Sequence, residues 1–472
     1  MRLLSTKQLR ILHTNDLHSQ LENWSAVVAW IKKARFEAEK SGEDVLLFDI
    51  GDHADRVHPM TEGLRGKGNV VLLNKLNYDA VTIGNNEGMT FTKEDLNQLY
   101  DDANFQVVLA NLFHKDGDRP HWVKPYQIFR TKQGIKVGVI GITAPFYTFY
   151  HILGWRIDDP VESIRSYIYK LRPDVDFLIC LSHLGLTEDE KLAELFPELD
   201  LILGAHTHHV LPEGKKVNEC WINQAGRSGK FAGNVKITFK SFDRDISINT
   251  IDVRSEEIDL KNRDLGTEKE LHFLTGKAET KLERSVTFLE YSMTVDWYKE
   301  TPLIKLLAEG VREWCQGEIG MVNAGVLLGN LTSGNVTYQD IHRICPHPIN
   351  PVTVIISGEK LLETIRQAQT KKMVEFALKG FGFRGKILGA MIFDGLTINE
   401  SVESPISFVQ DKDILIHGES LSKKRLYKLA TLDMFTFGHL YPAISSNKEK
   451  KYYMPEFLRD ILAWKLQLSG KL

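Results

Sequence analysis

The stretch Ile11-Leu12-His13-Thr14-Asn15-Asp16-Leu17-His18 closes a short apolar run with an Asp-x-His pair. Four further apolar runs in the first 210 residues also end on residues able to hold a metal ion: Asp49-Ile50-Gly51-Asp52, Thr82-Ile83-Gly84-Asn85-Asn86-Glu87, Cys180-Leu181-Ser182-His183 and Leu203-Gly204-Ala205-His206-Thr207-His208. Alone, a Gly-Asp pair is a turn after a strand, and Asn-Asn-Glu is a capped helix start. In an open α/β sheet, however, side chains just past the carboxyl ends of the strands share one crevice. Five such endings in one chain therefore predict a single dinuclear metal site.

Working outward from these runs, strand-like and helix-like patterns alternate through the first 250 residues. Amphipathic periodicity predicts helices over 24–40, 69–77, 161–171 and 188–196, with Thr92 as the N-cap of another ending at Asp101. Between them, compact apolar runs predict strands near 10–13, 45–49, 79–83, 107–111, 136–142, 176–181, 199–203 and 221–224, and residues 234–253 read as closing β structure. This alternation is that of a layered α/β fold. Residues 255–290 are charge-rich and helical in pattern, and from about 291 the chain starts again with a helix over 301–316, a strand over 319–323 and a helix over 359–369. The expected organisation is a metal-bearing domain over 1–254, a connecting segment over 255–290 and a second domain over 291–472.

A length of 472 residues exceeds what one core usually supports, in agreement with two domains. The formal charge of −3 offers no bulk attraction to nucleic acid polymers or anionic membranes. No run approaches the ~20 apolar residues of a membrane span, and the start of the chain lacks the pattern of a secretory signal. Cys180, Cys220, Cys315 and Cys345 are scattered without a Cys-x-x-Cys pair, which argues against a disulfide framework or a thiolate zinc site and predicts a cytoplasmic protein.

Residues i and i+2 on an extended strand point to one side, so Asp16 with His18, and His206 with His208, are each expected to serve a common cavity. His13 is expected on another face and His209 is expected to point away. Carboxylate, imidazole and amide oxygen together suit two divalent ions such as manganese, zinc, cobalt or iron. The expected assignment gives one ion Asp16, His18 and His208, the other Asn85, His183 and His206, with Asp52 bridging both. Two divalent ions less two aspartates leave a site near ~+2, suited to phosphate oxygens and to in-line hydrolysis between paired metals.

These residues carry a likeness. The segments Thr14-Asn-Asp-Leu-His-Ser19, Gly51-Asp52, Gly84-Asn-Asn-Glu87, Ser182-His-Leu-Gly185, Gly204-Ala-His-Thr-His208 and 223–235, in this order, resemble the 5'-nucleotidase family of calcineurin-like metallophosphoesterases, and residues 320–325 resemble the start of its C-terminal domain. The resemblance implies a four-layered αββα metallophosphoesterase domain. It also implies a smaller α+β domain that grips nucleotide bases between aromatic rings, and domain rotation that brings substrate to the metals.

The chain departs from the family pattern at informative places. Where the family reads Gly-Asn-His-Glu, with a catalytic His near the phosphoryl group, this chain has Asn86, and an amide cannot shuttle a proton. Positioned acid–base groups contribute about 10² to 10⁴ in rate. His53 is the expected substitute, with His58 and His439 as further candidates. Where the family carries Gly-Ile-Arg after Asn323-Ala-Gly, this chain reads Val326-Leu327-Leu328, which removes a bidentate anion clamp; Arg343 and Arg384 are candidate replacements. The family's Pro-Phe-x-Asn has become Pro346-His347-Pro348-Ile349-Asn350-Pro351, and its late Gly-Gly-Asp-Gly-Tyr appears only as Phe437-Gly438-His439-Leu440-Tyr441. Asn323, Phe437 and Tyr441 are the expected substrate contacts, with Phe381, Phe383 and Phe393 as further rings able to stack on a flat group.

The expected activity is hydrolysis of a nucleotide or a related small phosphate ester, by attack of a metal-bound hydroxide on phosphorus. Two alternatives stand beside it: a phosphodiesterase or pyrophosphohydrolase, whose better leaving groups need no acid, and a metal-dependent ligand-binding protein with little turnover.

Overall fold

Leu9, Ile11 and His13 alternate with Arg10 and Leu12 along the first strand, and this period of two decides what each face of the strand meets. The computed structural model describes residues 4–242, 245–399 and 409–470, in two units, Met1–Ala278 and Glu279–Leu472. The division falls within the helix Leu265–Leu282.

The strands of the two main sheets of the first unit are β1 (Leu4–Thr14), β2 (Asp44–Asp49), β3 (Ala80–Val81), β4 (Gln106–Val108), β5 (Val123–Lys124), β6 (Tyr126–Arg130), β7 (Lys136–Thr143), β8 (Phe177–His183), β9 (Leu201–Gly204), β10 (Lys215–Val217), β11 (Cys220–Asn223), β12 (Phe231–Phe242) and β13 (Asp245–Glu257). One sheet has the order β13-β12-β1-β2-β3-β4-β5 and the other β10-β11-β9-β8-β7-β6. Leu9, Ile11, Leu46 and Phe48 of the first sheet form one buried cluster with Val137, Val139, Phe177, Ile179, Leu201 and Leu203 of the second, so the sheets pack face to face. Each such side chain stabilises the fold by ~1.5–3 kcal/mol relative to exposure.

Helices close both outer faces. The helix α1 (Trp24–Lys40) takes the outer side of the first sheet, where the Arg10 guanidinium reaches the Ala34 carbonyl and pairs with Glu43. The short helix α2 (Asn85–Thr90) follows β3 directly. On the other side, α3 (Pro160–Leu171) and α4 (Leu186–Leu195) set Ile164, Ile168, Leu192 and Ala193 against Ile140, Cys180 and Ile202. The result is a four-layered αββα domain. Residue patterning alone predicts a layered α/β fold without fixing the number of sheets; two are present, as the family resemblance implies. A strand such as β8, buried at every position, has the same apolar run whether its second face meets a helix or another sheet.

The parallel registers level the carboxyl ends: Thr14 pairs with Asp49, Asp49 with Val81, and Ser182 with Gly204. The loops that follow β1, β2, β3, β8 and β9 therefore leave from corresponding edges of the two sheets.

The second unit has a five-stranded sheet in the order β16-β14-β17-β15-β18, formed by β14 (Ile319–Asn323), β15 (Pro351–Ser357), β16 (Met391–Asp394), β17 (Leu426–Leu432) and β18 (Lys450–Tyr452). Its own core joins Met321, Val322 and Leu429 to Leu303, Leu307 and Val311 of the helix Pro302–Trp314 and to Ile461 and Leu462 of the helix Leu458–Leu468. His347 sits in this core, stacked on Phe383 at 5.4 Å and 9°. Its Nε2 donates to the Val326 carbonyl at 2.8 Å and its Nδ1 accepts from the Arg384 amide at 2.9 Å.

Burial holds His347 neutral, lowering its pKa from 6.5 to about 3. Between those values the unfolded chain binds a proton that the folded chain refuses, so stability falls as pH drops through this window. From pH 7 to pH 5 this one site is expected to remove about 2 kcal/mol. Denaturant titrations at both pH values should show a loss smaller by that amount in His347→Asn, which keeps a donor and an acceptor.

Candidate metal centre

The candidate ligands stand in the loops just beyond the strands, and the loops are bonded to one another before any side chain is considered. Asp16, His18 and Ser19 donate their backbone N–H groups to the carbonyls of Gly51, Asp52 and His53 at 3.0, 2.7 and 3.0 Å. Asp16, His18, Asp52, His206 and His208, five of the seven candidate ligands, have positive φ between 49° and 72°. Here the structure corrects the reason given for the pairs. Asp16 with His18, and His206 with His208, converge through left-handed loop backbone and not through extended-strand alternation. Non-glycine residues held in this region carry strain of order 1–3 kcal/mol and concentrate at functional sites.

Two glycines permit the close approach of the loops. A Cβ on Gly51 would lie 2.2 Å from the Gly84 nitrogen, and one on Gly84 would lie 2.0 Å from Asp52 Oδ1 and 2.5 Å from His183 Cε1. Glu87, on the first turn of α2, then pins the turn, its carboxylate accepting from the backbone N–H groups of Asp52 (2.9 Å), Ala54 (2.7 Å) and Gly84 (2.9 Å).

The side chains gather in two overlapping groups, Asp16–His18–His208 and Asp16–Asp52–His183, whose ligand atoms all lie within 4.8 Å of one another in each group. His18 Nε2 is 3.0 Å from His208 Nε2, 3.8 Å from Asp16 Oδ1 and 3.6 Å from Asp52 Oδ2. On the other side, His183 Nε2 is 3.5 Å from Asp52 Oδ2, and His206 Nδ1 lies 2.9 Å from Asn85 Oδ1. Asp52 thus faces imidazoles on both sides. The His206 backbone N–H also reaches the Asp16 carboxylate, at 3.1 Å.

The electrostatics fit a cation. Burial opposes charge on both carboxylates, yet the surrounding imidazoles hold Asp16 and Asp52 below the ordinary carboxylate range. Burial likewise opposes charge on His183, but Asp52 and Asp16 outweigh it and raise His183 to about 10; His18 is also raised, with Asp55 and Asp52 overcoming burial. His183 donates from Nδ1 to the Ile50 carbonyl at 2.6 Å, while its buried Nε2 has no hydrogen-bond partner among the described residues. A ring oriented by one nitrogen with the other aimed at carboxylates is the form in which His serves as a ligand. The set is two carboxylates, four imidazoles and an amide oxygen without thiolate, and it suits divalent transition metals.

Two family models match the chain: calcineurin-like phosphoesterase over residues 9–210, and the 5'-nucleotidase C-terminal domain over 276–443. It is 44% identical over 461 residues to the metallophosphoesterase YunD of Bacillus subtilis (strain 168), covering 98% of this chain and 99% of that one. The chain belongs to the 5'-nucleotidase-like calcineurin-like metallophosphoesterases. It is also 27% identical to a 5'-nucleotidase of Vibrio cholerae, covering 78% of this chain and 76% of the relative. Among solved structures, the fold is shared with a putative 5'-nucleotidase from Staphylococcus aureus (TM-score 0.65, 17% identity, 98% and 96% of the two chains) and with the NAD nucleotidase of Haemophilus influenzae (TM-score 0.65, 17% identity, 99% and 97%). The protein is accordingly a phosphoester hydrolase of this family.

Other expected residues of the metallophosphoesterase fall in varied surroundings. Asn86 is buried, its Nδ2 donating to Asp52 Oδ2 at 2.7 Å and its backbone N–H to Asp52 Oδ1 at 2.8 Å. His53 lies edge-on to Trp24 at 4.9 Å and beside Asn69 (3.2 Å), fully buried and lowered by that burial to about 3. His58 caps the helix Pro59–Leu64 through the Met60 N–H, and His439 is exposed in the second unit. His13 bonds Asn223 at 2.7 Å between the sheets, and His209 turns outward to Thr207.

In the second unit Asn323 is buried and donates to the Leu388 carbonyl, and Tyr441 is buried edge-on to Phe435. Phe437 is half-buried and lies face to face with Phe381, ring centroids 6.0 Å apart and 10° from parallel. Phe383 and Phe393 belong to the core. Arg343 pairs with Asp340, and the Arg384 side chain reaches the Phe383 carbonyl. Sequence reasoning assigned no role to Glu87 or Asp55, whose work is to hold backbone and a ring in the folded loops; only the Asp-x-x-Asp spacing after Gly51 hinted at the second.

The Glu87 contacts make a measurable prediction. Gln in its place has one acceptor oxygen, so at least one buried backbone N–H loses its partner at about 1–3 kcal/mol. Calorimetry of Glu87→Gln should show destabilisation of that size.

Proposed function

We propose that the protein is a dinuclear metallophosphatase acting on a nucleotide or similar small phosphate monoester. Residues 1–254 carry the metals, 255–290 form the connection and 291–472 grip the substrate. The observation that carries this reading is the position of Asp52, whose Oδ2 lies 3.6 Å from His18 Nε2 and 3.5 Å from His183 Nε2, where one carboxylate can serve two ions. Asp16, His18 and His208 would hold one ion, and Asn85, His183 and His206 the other. Two divalent ions there supply Lewis-acid polarisation of phosphoryl oxygens and an activated water at neutral pH. Asn86 and Glu87 orient Asp52 from opposite sides, one through its carboxylate and one through its backbone.

Relatives named as 5'-nucleotidases support the substrate class. So does the parallel pair Phe381 and Phe437. Phe381 is half exposed on the left-handed loop Gly380-Phe381-Gly382. Near-parallel rings with centroids 6.0 Å apart are arranged to grip a flat group once their planes stand about 7 Å apart, twice the ~3.5 Å carbon contact distance. The four cysteines are free and buried, which supports a reducing compartment. A cytoplasmic role in nucleotide catabolism follows from this reading.

A second reading rests on the engaged Asn86 amide. With its nitrogen committed to Asp52, residue 86 offers no proton to a leaving group, and diesters or pyrophosphates with good leaving groups lose least.

Two measurements test these readings. Phosphate release from a nucleoside monophosphate and from glycerol phosphate, with manganese, zinc, cobalt or iron, should show Phe381→Ala and Phe437→Ala raising KM for the nucleotide alone. Installing the proton donor, Asn86→His, should raise turnover of poor leaving groups by up to about 10² and change nitrophenyl phosphate turnover little. Metal-loaded protein that releases no phosphate from any such ester would overturn the hydrolytic reading in favour of binding alone.

A further inference from the structure

The ring nitrogen Nδ1 of His18 meets two side chains of opposite character. Asp55 Oδ2 lies 3.3 Å away and Asn86 Nδ2 lies 3.1 Å away. The two contacts demand different protons. Asp55 accepts, so its contact requires hydrogen on Nδ1 and leaves a lone pair on Nε2. Asn86 Nδ2 donates, so its contact requires a bare Nδ1 and sends the ring hydrogen to Nε2. Nε2 is the nitrogen that faces Asp16, Asp52 and His208. A ring nitrogen carrying hydrogen cannot hold a metal, so the two neighbours of Nδ1 pull His18 toward opposite functional states.

Neither neighbour is free to turn away. Asn86 Nδ2 also donates to Asp52 Oδ2 at 2.7 Å, so flipping the amide would set its oxygen against a carboxylate. Asp55 is fully buried; its Oδ1 accepts the Val57 N–H at 3.0 Å and its own N–H donates to Ser19 Oγ at 2.8 Å. That cap leaves Oδ2 directed at His18.

We propose that Asp55 is a positioning residue that selects the metal-binding form of His18 against the competing Asn86 amide. The inference rests on the dinuclear reading above. Asp55 makes an amide at position 86 compatible with an ion at His18. A carboxylate behind a ligating imidazole also raises the basicity of the ligand, and loss of such partners typically weakens metal binding about 10–100-fold.

Asp55→Asn is the sharpest variant because it preserves shape. Its amide has a single oxygen: if that oxygen caps Val57, the NH2 group faces Nδ1 and enforces the wrong ring form. Metal titration by calorimetry with manganese or zinc should find two ions on the wild-type chain. In Asp55→Asn, one ion should bind about 10–100-fold more weakly and the other unchanged. Nitrogen-15 spectra of the metal-free protein, recorded at a pH high enough for the His18 ring to be neutral, should show its hydrogen moving from Nδ1 to Nε2. A second pair guards against a merely structural effect: Asp55→Ala should weaken the same ion, and this loss should be much smaller in an Asn86→Ala background, which lacks the competing donor. Two ions bound by Asp55→Asn as tightly as by wild type would overturn the inference and leave the dinuclear reading standing, as would an Asp55→Ala loss of equal size in the wild-type and Asn86→Ala backgrounds. Wild-type protein that binds fewer than two ions would bring down both.

Discussion

Two carboxylates, Asp16 and Asp52, are buried among four imidazoles, and holding that charge away from water is the constraint around which the first unit is arranged. A buried charge is tolerable only when paired and hydrogen-bonded, because its desolvation otherwise amounts to several kcal/mol. The carboxylates and imidazoles therefore have to arrive together from four separate strand ends. Parallel registers bring the strand ends level, and the loops after β1 and β2 bond to each other through their backbones. Left-handed conformations at five ligands turn the side chains inward, and that strain persists because the two sheets beneath fix the loop ends.

Support for the charged cluster comes largely from groups that touch no reacting atom. Glu87 gathers three backbone N–H groups and so determines where the Asp52 loop can lie. The Ile50 carbonyl orients His183, and the Asp55 carboxylate meets His18 from behind. Each contact uses a buried polar group whose partner would otherwise be unsatisfied, which ties stability to the geometry of the centre.

Residue 86 is an amide, and an amide limits the proton chemistry available at this position. Its amide nitrogen binds Asp52 and faces His18, where it can position both but transfer no proton. On the dinuclear reading proposed above, the metals would do the work of charge stabilisation alone, and esters whose leaving groups need no acid would lose least. The same donor introduces a conflict at His18 that a buried carboxylate resolves, so Asn86 and Asp55 act as a coupled pair.

Much of the centre is readable along the chain because strand-end positions in an α/β fold place chemistry in predictable loops. Asp16, His18, Asp52, Asn85, His183, His206 and His208 all stand directly after apolar runs. The helix Trp24–Lys40 and the strand Ile319–Asn323 coincide with their patterns, since periodicity is a local property. Other features were not local. Whether β8 turns its second face to a helix or a sheet leaves no mark on an all-apolar run. The backbone of the Asp16 and His18 loop is set by bonds to residues 51–53, and the pairing of Phe437 with Phe381, like the burial of Tyr441, is set by packing between segments distant in sequence. The chain by itself determined which chemical groups are present and near which strand ends; tertiary structure alone decided their orientation, protonation and partners, because those depend on long-range contacts and on burial that no single segment contains.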